Sequence, residues 1–146
     1  CMRHHLILRV VSKLLIPFIL LYALYVQFHG DYGPGGGFQA GVIFAAAFVL
    51  YALIFGVQAA RQAFPDSWLA ILIPLGVLIF AGTGIASLLL SGTYLDYDVL
   101  ASTPTGGQHL GILVVEFGVG VTVTAVMIAI FFAYAGRTRE IQDDDW

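Results

Sequence analysis

Charged residues are scarce in this sequence. The chain has 146 residues, of which 10% are charged, with 6 Lys and Arg against 9 Asp and Glu. A typical soluble domain carries about 25% charged residues, so this chain has too few to cover a surface that faces water. The formal net charge is −3 and no run of basic residues occurs, which argues against nucleic acid as a partner.

Cysteine and metal-binding patterns are nearly absent as well. The single cysteine, Cys1, excludes an internal disulfide framework. Cys1 precedes Met2, the natural initiator, so we interpret it as foreign to the natural start. The alternative is the lipidated first residue of a mature lipoprotein, but the basic residues that follow favour the cytoplasmic side. His4 and His5 are adjacent rather than on one helical face, and no nucleophile–base pair or cofactor motif occurs. We therefore expect no metal, no cofactor and no enzymatic activity.

Apolar residues are abundant, at 60% of the chain, and they gather in four long stretches. A helix needs about 20 mainly apolar residues to cross a bilayer. The predicted spans are residues 6–28, 37–58, 68–91 and 110–135. They consume most of residues 1–146, so we predict a single all-α transmembrane domain. Short connections favour antiparallel packing of neighbouring helices.

The basic residues predict the direction of the four spans. All of them fall at one side of the predicted membrane, whereas the charged residues in the loops of the other side are all acidic. Because cytoplasmic loops are enriched in Lys and Arg, both termini are predicted to be cytoplasmic. The basic residues are Arg3, Arg9, Lys13, Arg61, Arg137 and Arg139, and the acidic residues opposite them are Asp31, Asp96 and Asp98.

A glycine-rich segment, "GDYGPGGGFQAG" (residues 30–41), separates the first two spans. Pro34 ends a helix and glycine accepts positive φ, so we predict a tight turn here. The residues of this turn motif are Gly33, Pro34, Gly35, Gly36, Gly37 and Phe38.

Small residues then recur every fourth position of the second span, at Gly37, Gly41 and Ala45. Gly82 and Ala86 repeat the pattern on the third span. Small residues allow membrane helices to approach closely. These faces therefore either pack the four helices of this chain together or dock another membrane subunit.

Glu116 is the most conspicuous polar residue inside a predicted span, about 9 Å from the start of the fourth span. Ionisable groups within a bilayer are costly and are candidates for function. Thr83 and Ser87 of the third span are predicted at comparable depth, where their hydroxyls could bond the carboxyl group. The structural alternative is a hydrogen bond that fixes packing. Glu116, Thr83 and Ser87 are candidates for an ion path.

Lys13 is the second ionisable candidate, about 10 Å inside the first span. Thr122 and Thr124 of the fourth span are predicted at a similar depth and join the ion-path candidates. The alternative for Lys13 is that its long stem lets the ammonium reach the interface. One carboxylate and one lysine are too few for a proton relay across about 30 Å of hydrocarbon. The chain alone therefore lacks the parts of a transporter.

The segment "HGDYGPGGGFQAGVIFAAAFVL" (residues 29–50) resembles the signature of the B subunit of Mrp-type multisubunit sodium/proton antiporters, the MnhB-like family. Its core is PGGGF followed by an alanine-rich span. "GTGIASLLLSG" and "VEFGVGVTV" extend the resemblance over nearly the whole chain. The resemblance implies a four-span subunit of a complex in a prokaryotic plasma membrane. That complex would exchange Na+ for H+, with other membrane subunits as partners.

Three other functions are compatible with the sequence. The resemblance also allows a subunit of the membrane arm of a hydrogenase-linked respiratory complex. The chain could instead be a structural spacer that seals lipid between larger subunits, or a small channel formed by self-association. A functional role for Glu116 favours the antiporter hypothesis, and dependence on the glycine faces alone favours the spacer.

Overall fold

The computed structural model describes residues 5–30, 32, 35–90 and 92–137, and these form helices joined by short connections. Gly33 and Pro34 of the predicted turn, Asp31, and the terminal residues Cys1, Arg3 and Arg139 lie outside the described residues. In chain order the helices are α1 (Leu6–His29), α2 (Gly37–Phe55), α3 (Val57–Ala63), α4 (Asp66–Leu89), a short 3₁₀ helix (Tyr97–Leu100) and α5 (Pro104–Ala135).

Four helices of the described part, α1, α2, α4 and α5, are long and apolar enough to cross a membrane. The all-helical class predicted from the sequence is therefore confirmed. α1 and α4 begin and end within two residues of the predicted limits, because the apolar run itself marks them. The largest differences occur at the end of α2 and at the start of α5.

α2 ends at Phe55 because Gly56 adopts φ 97° and ψ 154°, a conformation that breaks the helix. The following residues form the separate helix α3. α5 begins at Pro104, about two turns before the predicted start of its span. Thr103 is its N-cap and accepts a hydrogen bond from the Gly106 amide at 3.3 Å. Proline suits the first turn of a helix, so the Thr-Pro pair marks this start.

α5 is the central helix of the bundle, since α2, α4 and the 3₁₀ helix all pack against it. α1 lies at the side and packs mainly against α2. The core between α2, α3, α4 and α5 is built from alanines and a few large side chains. Its buried members are Ala45, Ala52, Ala60, Leu69, Ala125, Ile128 and Phe132.

The small residues of α2 face α5 of the same chain. Glycine has no Cβ atom, and the position where one would stand shows how much space is left. A Cβ atom added at Gly41 would lie only 2.8 Å from the Gly120 carbonyl oxygen, so the two backbones touch. Ala45 is buried one turn further along. Gly82 of α4 differs from these residues. A Cβ atom added there would meet no described residue within 4 Å, other than its chain neighbours and the backbone of its own helix. The stripe on α2 is thus filled by this chain, and the Gly82 face is open.

The two ends of the bundle differ in chemistry. The end formed by Gly30, Gly35 and Gly36 is called the glycine end below. The opposite end, called the arginine end, is tied together by Arg61. The Arg61 guanidinium contacts Asp66 Oδ2 at 3.1 Å and donates to the Phe132 carbonyl oxygen at 3.3 Å.

The connection between α4 and α5 packs its tyrosines into notches left by glycines. The Tyr94 ring occupies the space that a Cβ at Gly84 would take, and the Tyr97 ring does the same at Gly111. Gln108 donates to Asp98 Oδ1 at 2.7 Å and ties the 3₁₀ helix to α5. This connection is therefore docked on the bundle.

Candidate functional site

The carboxyl group of Glu116 lies against the backbone of the glycine-rich segment. A Cβ atom at Gly30 would be 2.8 Å from Glu116 Oε2 and 2.9 Å from Oε1, and one at Gly36 would be 3.2 Å from Oε1. Glu116 is half-buried. The sequence singled out the glycine segment and Glu116 separately, and the fold brings them together at the glycine end.

Two glycines are required for this approach. Gly36 has φ 140°, which residues with a side chain rarely adopt. At Gly37, the first residue of α2, an added Cβ atom would overlap the main-chain carbonyl oxygen of Glu116. The segment therefore reaches the carboxyl group only because its backbone is bare.

Two amide side chains lie next to this contact, and the sequence analysis did not single them out. Gln39 Oε1 would be 3.3 Å from a Cβ atom at Gly36. Gln27 Oε1 would be 2.9 Å from one at Gly120, one helical turn beyond Glu116. Their signal in the sequence was weak, because each is one uncharged polar residue at the edge of an apolar stretch. Glu116, Gln27 and Gln39 together make the glycine end rich in side-chain oxygen.

Thr83 and Ser87 direct their hydroxyls elsewhere. The Thr83 hydroxyl donates to the Ile79 carbonyl oxygen at 2.8 Å, and the Ser87 hydroxyl donates to the Thr83 carbonyl oxygen at 3.1 Å. A hydroxyl has one proton, so neither has one left for the Glu116 carboxyl group. Neither hydroxyl therefore donates to Glu116 in this structure, and the place of Thr83 and Ser87 in an ion path stays a prediction. Both residues are buried and satisfy their own helix instead.

Thr122 and Thr124 connect α5 to its two main neighbours. The Thr122 hydroxyl donates to the Ile73 carbonyl oxygen of α4 at 3.3 Å. The Thr124 hydroxyl is shared between the carbonyl oxygens of Gly120, at 2.7 Å, and of Gly41 in α2, at 3.2 Å. These hydroxyls thus join helices through backbone oxygens.

Lys13 lies near the end of α2, far from the other candidates. Its ammonium is 5.5 Å from the centre of the Phe55 ring, an arrangement typical of a cation–π contact. Phe55 is 14 residues beyond Gly41, or about 21 Å along α2, so Lys13 is well away from Thr124. The prediction of similar depth for Lys13 and Thr124 is wrong. Glu116 lies beside Gly37, which is 18 residues before Phe55. Glu116 and Lys13 are therefore about 27 Å apart along the axis of α2.

Comparison with known proteins gives the family. A family model described as "Domain related to MnhB subunit of Na+/H+ antiporter" matches residues 7–129. Proteins of Staphylococcus aureus strains Newman, JH1 and Mu3, each named "Putative antiporter subunit mnhB2", are 32% identical to the chain over 133 residues. The aligned region covers 89% of this chain and 94% of each relative. The resemblance seen in the glycine-rich segment therefore holds over most of the sequence, and the chain belongs to the MnhB family of Na+/H+ antiporter subunits.

Proposed function

We propose that this chain is a small membrane subunit of a multisubunit Na+/H+ antiporter and that Glu116 contributes to the ion path of that complex. The observation that carries the proposal is the contact between the Glu116 carboxyl group and the bare backbone at Gly30 and Gly36. A carboxyl group at this place can exchange a proton or attract Na+, and both ions belong to the reaction named for the family.

The oxygen atoms around Glu116 suit a hard cation such as Na+. Carboxylate and amide oxygens are the ligands that such ions prefer. Gln39 Oε1 lies beside the Gly36–Glu116 contact, and Gln27 Oε1 lies one turn away against Gly120. Glu116 is the only acidic residue within the long helices at this end among the described residues, whereas Asp96 and Asp98 lie in the connection before α5. One carboxylate inside the helices does not make a complete path, which therefore requires groups from other subunits. We therefore infer that Glu116 acts together with neighbouring subunits, as part of a transporter rather than as an enzyme.

In this proposal neighbouring spans are antiparallel and both termini are cytoplasmic, in a prokaryotic plasma membrane. Contacts between α4 and α5 support the antiparallel arrangement. On α5, Thr122 contacts Ile73 of α4, whereas the earlier residue Gly118 contacts the later α4 residues Gly76 and Ile79. Residue numbers therefore rise along one helix as they fall along the other. The basic residues Arg61 and Arg137 at the arginine end support the orientation.

Replacement of Glu116 tests the ion-path role. We expect Glu116→Ala to abolish most Na+/H+ antiport in everted membrane vesicles while the complex still assembles, because the carboxyl group is lost and the space stays open. Glu116→Gln keeps the shape and should be equally inactive. Antiport is measured by the fluorescence of a pH-sensitive dye after Na+ addition, and assembly by native gel electrophoresis. Full antiport in both variants would contradict the proposal.

A structural spacer is the second candidate, because Gly37 and Gly41 hold α2 directly against the backbone of α5. A spacer needs these glycines but no carboxyl group. Loss of assembly in Glu116→Ala, with normal antiport in Glu116→Gln, would favour it. The same two measurements, of antiport and of assembly, test the remaining ion-path candidates. These are Lys13, Thr83, Ser87, Thr122 and Thr124.

The partners we propose are the other membrane subunits of the antiporter. The exposed Phe38 at the start of α2 and the open face at Gly82 are available to them. Purification of the complex from its native membrane, followed by mass spectrometry, identifies these subunits. Copurification of nickel–iron or iron–sulfur proteins would instead place the chain in a hydrogenase-linked complex.

A further inference from the structure

A cavity of about 240 Å³ lies between α1, α2 and α5 near the glycine end, and Leu72 of α4 contributes to its wall. The wall is formed almost entirely by carbon atoms, among them those of Ala40 and Phe44. Leu24 and Phe28, which also line it, are 46% and 58% exposed, so the cavity opens sideways past α1. An apolar cavity of about 150 Å³ is already enough to bind a small hydrocarbon.

One polar group in the wall has no partner. Gln27 is 8% exposed, and its Nε2 atom has no hydrogen-bond acceptor among the residues that the structure describes. The other polar side chain of the wall, Thr124, already directs its proton to the carbonyl oxygens of Gly120 and Gly41. A buried N–H without an acceptor is costly. The cavity therefore calls for a ligand that is mostly apolar and carries an oxygen acceptor near Gln27.

The position of Gln27 indicates where that acceptor comes from. Gln27 is two residues from the end of α1, about 3 Å along the helix axis. Tyr25 and His29, two residues before and after Gln27, lie on the opposite face of α1 at the same level. Their rings stack with centres 5.2 Å apart, as is typical of side chains at a membrane interface. The ester carbonyl groups of phospholipids lie at this boundary between hydrocarbon and headgroups. The cavity continues from Gln27 towards Phe44 and Thr124, away from the end of α1.

We propose that the cavity binds one acyl chain of a phospholipid and that the ester carbonyl of this chain accepts a hydrogen bond from Gln27 Nε2. Water fits the cavity poorly, because a buried water needs two to four polar partners and the wall offers few. The mouth of the cavity lies beside α1, where Leu24 and Phe28 are exposed. This lipid site does not depend on whether Glu116 carries an ion.

Diester and diether phospholipids with identical chains and headgroups test the hydrogen bond in the unmodified protein. Each lipid carries a diazirine in the middle of one chain and is mixed into nanodiscs that contain the purified complex. After illumination, mass spectrometry counts the labelled peptides that contain Leu24, Phe28 or Phe44. We expect the diester lipid to label them about 2- to 10-fold more than the diether, the equivalent of one net hydrogen bond. Equal labelling by the two lipids, or no labelling of these peptides, would overturn the proposal.

Gln27→Leu provides the matched variant, since it removes the N–H groups and keeps an apolar side chain of similar size. We expect the preference for the diester lipid to disappear in Gln27→Leu and to persist in Gln58→Leu, which changes an exposed glutamine on α3. If Gln27→Leu does not fold, the comparison of the diester and diether lipids in the unmodified protein still tests the proposed hydrogen bond. A photoreactive residue at Leu24 that crosslinks to another subunit instead of lipid would also overturn the proposal.

Discussion

Single glycines decide how closely the helices of this bundle approach one another. At Gly37 and Gly41 the backbone of α2 touches the backbone of α5, whereas Gly82 of α4 faces open space. The same residue type thus has opposite consequences in the two helices. The sequence pattern of small residues at every fourth position does not distinguish them, because it carries no information on which face is already covered.

Gly37→Ala should destabilise the protein, because the added methyl group overlaps the main chain of Glu116 and neither backbone can yield without moving a helix. Overpacking of this kind costs about 1–3 kcal/mol in the free energy of unfolding. Gly82→Ala is the control and should raise this free energy by up to about 1 kcal/mol, because alanine favours the helix and the added methyl group meets open space. Thermal unfolding in detergent, followed by circular dichroism, measures both. Equal losses in the two variants would contradict the contact between Gly37 and Glu116.

The sequence identified Glu116 and the glycine segment as notable, but not that they meet. Their contact depends on the register of α2 against α5, which is set by the close approach at Gly41 and Gly120. That register is a property of packing and has no local signal. Gln27 and Gln39 were missed because uncharged amides near the ends of a span are common and cost little there.

At the scale of helices, the apolar runs predicted the existence of the four long helices well and their ends less well. α5 starts earlier than its apolar run because Thr103 and Pro104 cap it, and the glycines at 106 and 107 weaken the apolar signal. α2 stops at Gly56 although apolar residues continue, because the backbone there is left-handed. Local caps and one φ angle thus override hydropathy at helix ends.

We expect the docked connection between α4 and α5 to make the free energy of unfolding depend on pH in the alkaline range. Desolvation against α5, together with the nearby Tyr94, raises the pKa of the Tyr97 phenol above its usual value of 10.0. Below pH 10.0 both the folded and the unfolded state keep the proton, so the contribution to stability is complete. Above it the unfolded state releases the proton first, and the free energy of unfolding falls as pH rises through the pKa of the folded state.

Tyr97→Phe tests this effect, since it keeps the ring in the notch at Gly111 and removes the titrating group. We expect the variant to lose less stability than the unmodified protein between neutral pH and pH values above 10.0. Chemical unfolding in detergent at several pH values measures the difference, and tyrosinate absorbance reports the titration directly. An identical pH dependence in both proteins would show that Tyr97 is not desolvated by α5.

At the scale of the whole molecule, α5 packs against α2, α4 and the 3₁₀ helix, whereas α1 packs against little besides α2. α1 packs mainly against α2, and most of its large apolar side chains are exposed. A bundle with one peripheral helix presents that helix to lipid or to neighbouring subunits of the antiporter. The two ends also differ, with oxygen-rich side chains at the glycine end and arginines at the other. Because the two ends differ in charge, they predict one orientation of the bundle in the membrane, and that orientation can be measured.

Cysteine labelling measures that orientation. In a Cys1→Ser background, Ser102→Cys places a thiol in the connection before α5, and Gln58→Cys places one on α3 near Arg61; both positions are exposed. Because arginines favour the cytoplasmic side, we expect an impermeant maleimide to label Ser102→Cys in intact cells and Gln58→Cys only after permeabilisation. The reverse pattern would invert the topology and place Glu116 near the cytoplasmic surface. Labelling of both thiols in intact cells would mean that the segment between them, which includes α4, does not cross the membrane.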